Sequence, residues 1–325
     1  IENRLDGACA RYLNYRKKFK VMPTALFING DSSQNIKNGE ACYTEKSKQI
    51  VRAVFGEGPK DKDKLGLGVY KHYGKANNGF QISSCQFAIH YFFENKIKLN
   101  NFLQNLSECT ELNGYFIGSC YNGNLIYELL NNYRTNESIS IMKNKKKIWQ
   151  ITKKYSRDYF ENDISSLGYA IDVYQESINK SFTEYLVNFD YLVRIMEDYG
   201  FGLLNANECA ELNIPDSIGS FQQLYGLMES EIIRNKKNKL KYGIASSMTS
   251  QEKQISFYNN YFIFKKNRNV DTIAVRNTLI GTSKVLEQLD KIETNEAIES
   301  IEDESLNIPK PIKKLKKKLI LKQKE

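Results

Sequence analysis

Apolar residues along the chain fall into short runs of two kinds. T-A-L-F-I-N-G (24–30), F-Q-I-S-S-C-Q (80–86) and G-Y-F-I-G-S-C-Y (114–121) are strand-like and stop at turn-forming or polar residues. G-Y-A-I-D-V-Y-Q-E (168–176) alternates apolar and polar positions like a half-buried strand, and the stretch 254–265 reads as a last strand. Segment 138–154 places a K-N-K-K-K run between two β-like stretches, which predicts a hairpin. Helical patterns cover 1–19, 45–54, 87–94, 97–108, 124–133, 182–199 and 217–234, with Gly200 as a C-cap of the sixth. Segment 55–79, rich in Gly, Lys and Asp, reads as an exposed loop. Strands alternating with helices predict an α/β sheet. Ligands of such sheets sit at the carboxyl ends of the strands. Here those ends carry Asp31, Ser32, Gln86 and the stretch Ser119–Asn122, which can face one crevice.

Composition narrows the class. Of 325 residues 41% are hydrophobic and 26% charged, with a mean hydropathy of -0.53, so the chain can bury a core. No run of 18 apolar residues exists to cross a membrane as a helix. The first residue is Ile and no basic-then-apolar leader follows, so the expectation is a chain that starts inside a longer polypeptide. The net charge is +9, unevenly spread. Residues 309–325 hold eight Lys and one Glu, and residues 284–304 hold eight acids and two Lys, which leaves +8 for residues 1–283. A basic body attracts polyanions, nucleic acid first among them; a solvated Lys-rich surface is the alternative. Six Cys lack any C-x-x-C spacing and only two His are present, so a zinc site is not expected and reduced thiols are. The Gly-rich stretch 56–68 lacks a Gly-Lys-Ser/Thr ending and follows no strand directly, so it is no phosphate loop. Trp149, beside the Lys run, is read as a hairpin core residue rather than a base-stacking platform.

Four stretches together carry a family resemblance. Ile82 followed by S-S-C-Q-F-A-I-H-Y-F-F resembles a signature of the mRNA cap guanine-N7 methyltransferases. G-Y-F-I-G-S-C-Y-N-G (114–123), F-I-N-G-D-S-S (27–33) and T-E-Y-L-V (183–187) are similar to further elements of that family in order and spacing. The wording is nearest to the C-terminal module of large DNA virus capping enzymes and spans about residues 1–266. The resemblance implies a Rossmann-like class I methyltransferase sheet with helices on both faces. One feature departs: nothing in residues 1–20 matches the family's Gly-rich turn or the acid that follows it. The expectation is therefore a fold whose N-terminal strand or strands are missing from this chain, with half of the cofactor site.

The implied reaction is methyl transfer from S-adenosylmethionine (AdoMet) to guanine N7 of the mRNA 5′ cap. That nitrogen has a free lone pair, so no general base and no catalytic triad are expected, and no metal. On the cofactor side the resemblance implies Asp31 and Ser32 at the adenine, Gln86 at the amino-acid part and Tyr91 near the methyl. On the cap side it implies Arg11 at the phosphates, His90 and Glu184 at the guanosine, and Tyr258 or Tyr261 on the last strand. Glu184 is the guanine reader, since a carboxylate accepts two parallel hydrogen bonds from the ring N–H and the exocyclic amine. Each has a plainer alternative: a turn-forming Asp31, a helix-start Gln86, a core-edge His90, a helix N-terminal Glu184 and a solvated Arg11.

The expected organisation is a methyltransferase domain over 1–266, a charged, partly helical extension over 267–308 and a Lys-rich tail over 309–325. Expected partners are capped RNA and other capping modules of the same polypeptide, with no membrane. The expected setting is the host cytoplasm or a virion. A non-catalytic, methyltransferase-like RNA-binding or stimulatory subunit is the alternative.

Overall fold

A computed structural model describes residues 7–281. Helix α1 (Ala8–Lys18) ends on Arg16, Lys17 and Lys18, cations that suit the carbonyl end of a helix. Residues 24–30 form no strand, against expectation. Their one sheet-like contact is the bridge between Gly30 and Cys42. A strand needs a neighbour to satisfy its backbone, and among the described residues none runs beside 24–29. Helix α2 (Glu45–Val54) starts at Thr44, whose hydroxyl accepts from the Ser47 N–H. Helix α3 (Lys62–Tyr70) lies inside the segment expected to be loop. The Asp61 carboxylate caps it, and Gly66, at φ 73°, kinks it.

The central unit follows. Strand β1 (Phe80–Gln86) leads through a 3-10 turn (Ile89–Glu94) into α4 (Lys96–Cys109) and then β2 (Thr110–Tyr121). β1 and β2 pair in parallel, so α4 is the crossover such a pair requires. Next come α5 (Gly123–Leu129), the hairpin β3 (Ser138–Lys143) and β4 (Lys146–Lys153), and the hairpin β5 (Ala170–Gln175) and β6 (Lys180–Tyr185). Asn144 and Lys145 both take positive φ, the geometry of a tight hairpin turn. The chain then runs through α6 (Phe189–Asp198), β7 (Phe201–Leu203), α7 (Ala206–Glu211), β8 (Ile218–Ser220), α8 (Phe221–Arg234), α9 (Ser250–Phe257) and β9 (Asn259–Lys266).

Two sheets result. One runs β1-β2-β9-β7 with β8 also on β9, parallel at β1-β2 and antiparallel around β9, with helices on both sides. It is the expected α/β arrangement. Its core is aromatic: the Phe116 ring lies 5.2 Å from Phe262 and 6.5 Å from Phe264. The other sheet, β3-β4-β5-β6, is wholly antiparallel. Its core gathers Trp149, Tyr169, Ile171 and Val173 with Ile126 of α5, so Trp149 is the core residue the sequence suggested. Tyr121, the last residue of β2, joins that core and links the two sheets.

Other expectations need correction. Segment 182–199 is not one helix: 180–185 is strand and α6 starts at Phe189, so Glu184 sits on a strand. Gly200 does follow that helix at φ 89°, as a C-terminal glycine should. The last strand starts at Asn259, and residues 250–257 before it are helical. Among the described residues β1 is a sheet edge, with Phe80 and Ile82 exposed and Cys85 half-buried. The six cysteines are free thiols. The chain to Arg276 forms one compact unit and a second starts at Asn277, so most of the expected extension (267–308) and all of the Lys-rich tail (309–325) lie outside the described residues.

Candidate functional site

The carboxyl ends of β1 and β2 face the β5–β6 hairpin, and a cleft of about 590 Å³ opens between them. The backbone turns sharply after β1. Phe87 takes φ 50° and donates its N–H to the Ser119 carbonyl, which ties the turn to the end of β2. The 3-10 turn that follows points His90 and Tyr91 into the cleft. Opposite, β6 carries Glu184, paired with Ile171 of β5. Phe87, Phe182 and Phe221 supply aromatic walls.

Glu184 Oε2 lies 3.7 Å from His90 Nε2, too far for a hydrogen bond. Burial pushes the Glu184 carboxyl up to about 7 and lowers His90 to about 4. Their closeness invites an ion pair, but burial disfavours both charges, so the imidazole is neutral near pH 7 and Glu184 titrates there. Both ring nitrogens of His90 are buried without a hydrogen-bond partner among the described residues. Asn259 Oδ1, in the same wall, is likewise unpaired. Orphaned buried polar atoms are costly and mark places where a partner is needed. Tyr91 packs edge-on against His90 with ring centroids 4.3 Å apart and stays partly exposed. Burial raises its hydroxyl's pKa, and the Glu184 charge adds to this.

The polar cleft residues Gln175 and Asn259 were not singled out in the sequence, and Tyr121 was named only within the stretch Ser119–Asn122. Tyr121 Oη accepts from Trp149 Nε1 at 2.9 Å and from Gln175 Nε2 at 3.5 Å. Tyr121 and Gln175 both end strands that the sequence located, so position at a strand's carboxyl end was the available signal.

The other candidates lie elsewhere. Asp31 Oδ1 accepts the N–H and the hydroxyl of Ser33 at 2.8 and 2.7 Å, which is the turn-forming role. Its second oxygen has no hydrogen bond among the described residues. Its neighbours Gly30 and Ser32 line a larger, mostly apolar cavity of about 900 Å³ beside the open edge of β1. Gln86 bridges strand ends: its Oε1 accepts from Ser119 Oγ at 2.7 Å and its Nε2 donates to Ser84 Oγ at 3.2 Å. Arg11 is exposed on α1 and lines neither space. Tyr258 is no strand residue; it ends α9 and stacks on Trp149 at 5.6 Å. Tyr261 is on β9, but its hydroxyl donates to the Asp216 carbonyl at 2.9 Å over β8. Neither tyrosine lines the cleft.

For AdoMet the described residues fit at two points. Asp31, between the cavity-lining Gly30 and Ser32, has a second carboxylate oxygen without a hydrogen bond among the described residues, to which a ring amine can donate. Gln86 keeps a second amide N–H and a second carbonyl lone pair beyond its bonds to Ser84 and Ser119, which an amino-acid moiety can use. Among the described residues no group of three or more His, Cys, Asp or Glu is placed to hold a metal, and no helix is long and apolar enough to cross a membrane.

A probable mRNA-capping enzyme of Acanthamoeba polyphaga mimivirus is 28% identical over 203 residues, 59% of this chain and 15% of that protein. The mRNA cap guanine-N(7) methyltransferase of Saccharomyces cerevisiae is 23% identical over 259 residues, 77% of this chain and 56% of its own length. That of Candida glabrata is 24% identical over 58% of this chain and 45% of its own. The chain thus spans about half the length of the yeast relatives and a small part of the viral one. Among solved structures, an S-adenosylmethionine-dependent methyltransferase from Clostridium acetobutylicum aligns over 70% of this chain and 74% of its own at 9% identity, with a TM-score of 0.32. The model of the mRNA (guanine-N(7))-methyltransferase domain matches residues 5–267, and the chain belongs to that family.

Proposed function

We propose that the cleft holds the guanine of an mRNA 5′ cap and that the protein directs methyl transfer from AdoMet to its N7. The observation that carries this reading is the half-buried Glu184 beside the buried His90, whose ring nitrogens have no partner among the described residues, walled by aromatic rings. AdoMet supplies an electrophilic methyl on a sulfonium, and Asp31, the Ser32 backbone, Gln86 and Tyr91 are the residues we assign to hold it.

The chain's own residues then have to place an acceptor. Guanine N7 already has its lone pair, so alignment and field carry the catalysis and no side chain must remove a proton first. The ionised Glu184 accepts from the ring N–H and the exocyclic amine together, which adenine cannot offer. Its charge also favours the positive ring that methylation leaves. Neutral His90 presents one N–H donor and one acceptor to the base or its ribose. Phe87, Phe182 and Tyr91 offer faces and edges for stacking. Arg11 and the basic body would meet the phosphates. The same reading sets the chain within a viral capping enzyme, beside other capping modules, in the host cytoplasm or virion.

A methyl-transfer assay with the natural full-length polypeptide and labelled AdoMet tests it. Label is expected on RNA capped with GpppN and not on ApppN-ended RNA. Glu184→Ala is expected to lower kcat/KM on capped RNA at least about tenfold while AdoMet binding holds, since it removes a buried charged acceptor. Equal loss of both would remove Glu184 from the guanine. Cap-dependent RNA binding with no transfer by the intact polypeptide would favour a non-catalytic subunit.

A further inference from the structure

We infer that a basic arm rooted at the cleft carries the stretch of RNA that follows the cap. This rests on the reading of the cleft as a cap site and extends it from the capped base to the transcript behind it.

The arm leaves the cleft and returns to it. Phe221, the first residue of α8, lines the cleft with its ring 6.1 Å from Phe87. Ile255 and Ser256 of α9, and Asn259 just after it, line the same space. Between these feet the chain climbs α8, passes two 3-10 turns (Lys236–Lys241 and Gly243–Ser247) and comes back along α9. The 14 residues of α8 span about 20 Å at the rise of an α-helix.

The far end has no core of its own, since neither 3-10 turn contains a buried residue. It is nevertheless tied in place. The Tyr242 hydroxyl donates to Glu231 Oε2 at 2.6 Å, and the Asn238 amide donates to the Glu231 carbonyl at 3.3 Å. The Asn235 side-chain oxygen accepts from the Lys237 N–H at 3.0 Å. What this scaffold presents is charge. Arg234, Lys236, Lys237, Lys239 and Lys241 fall within eight residues and are all exposed. None of them has an ion-pair partner among the described residues. Cations fixed this close together repel one another, and a polyanion relieves that repulsion. Ile233, Leu240 and Ile244, each 82–89% exposed, place apolar groups among them.

A cap held in the cleft brings a strand with it. The nucleotides after the cap are joined to it through the triphosphate and leave past the rim where the arm stands. Phosphates on the lysines give affinity without sequence preference, and the aliphatic groups can lie against bases and sugars. The length of α8 puts this contact a few nucleotides downstream, out of reach of a cap dinucleotide. Cations beside aliphatic groups also suit an anionic lipid surface, but a membrane gives no reason for the arm to be rooted at the cap cleft.

The test is titration of the natural full-length polypeptide with GpppA, with a capped decamer RNA and with phosphatidylserine-containing vesicles. Wild type is compared with a variant that combines Lys236→Gln, Lys237→Gln, Lys239→Gln and Lys241→Gln. The variant is expected to bind the decamer at least about tenfold more weakly, with the slope of log K against log salt reduced by about 3, at about 0.7 per phosphate contact. GpppA is expected to bind both proteins alike. In wild type, 4-thiouridine placed a few nucleotides after the cap is expected to cross-link within residues 234–247; cross-links confined to other segments overturn the inference even if the variant does not fold. Unchanged decamer affinity and slope in the variant, with GpppA still bound, overturn it and leave the cleft reading intact. Vesicle binding lost in the variant while decamer binding is kept overturns it in favour of a lipid surface. Failure of wild type to bind GpppA removes the cleft reading, and the inference with it.

Discussion

Glu184 and His90 lie 3.7 Å apart, and among the described residues neither ring nitrogen of His90 has a hydrogen-bond partner, so the next partner decides what the cleft does. Burial holds the Glu184 carboxyl near 7, above an ordinary glutamate. Cap binding needs the ionised form as acceptor. The sign follows: affinity is full above about pH 7 and falls as pH drops through it, by up to about tenfold per unit. His90, held to about 4, stays neutral through that window and does not contribute. Glu184→Gln is expected to weaken cap binding by about 1.5–3 kcal/mol and to flatten the profile between pH 6 and 8. A variant that keeps the wild-type slope would put the titrating group elsewhere. At this scale the sequence singled out His90, Tyr91 and Glu184, because each lies in a short motif that carries the family resemblance. It named Tyr121 only within the stretch Ser119–Asn122 and did not reveal Gln175; the contacts of the Tyr121 hydroxyl with Trp149 and Gln175 join side chains far apart in the chain. It misplaced Tyr258 because the boundary between α9 and β9 falls inside one apolar run.

The elements hold the cleft by close backbone contact. Gly118 lies in the middle of β2, where an added Cβ would meet the Cys85 carbonyl oxygen at 2.4 Å and the Phe262 ring at 2.2 Å. Neither β1 nor the aromatic core can give way cheaply. Gly118→Ala is expected to cost about 1–3 kcal/mol, read as a lower denaturant midpoint at unchanged slope. A midpoint equal to wild type would mean that β1 and β9 are not packed on β2 as described. Lys266 joins the same layer from the other end. It is buried, and its ammonium donates to the Ser107 and Thr110 carbonyls where α4 passes into β2. Lys266→Met leaves those carbonyls unpaired, with an expected loss of about 1–3 kcal/mol on the same measurement. The parallel pair and its crossover helix were legible from periodicity. Strand β6 was not, because K-S-F-T-E-Y runs within a few residues into the strongly amphipathic α6 and the two merge into one helical-looking stretch. The cue was Asn179, which turns the hairpin at φ 54°. The expected strand at 24–30 failed for a different reason: pattern gives strand tendency, but a strand also needs a neighbour.

Across the whole molecule, charge and shape divide the work. Residues 1–283 carry +8, and residues 309–325 add eight Lys and one Glu. Removing 309–325 is expected to weaken binding of capped RNA mainly at low salt and to reduce the slope of log K against log salt, while a cap dinucleotide binds as before. An unchanged slope would dismiss the tail as a nucleic-acid contact. The cleft is a local feature, built where two sheets meet at the ends of β1 and β2. On the proposed reading this cleft takes guanine by its edge. The most direct measurement is a crystal structure of the protein with GpppA. Both Glu184 oxygens are expected within about 2.7–3.2 Å of the ring N–H and amine nitrogens, with the ring between aromatic walls. A cap seated in the apolar cavity beside β1, or a guanine edge turned away from Glu184, would contradict it.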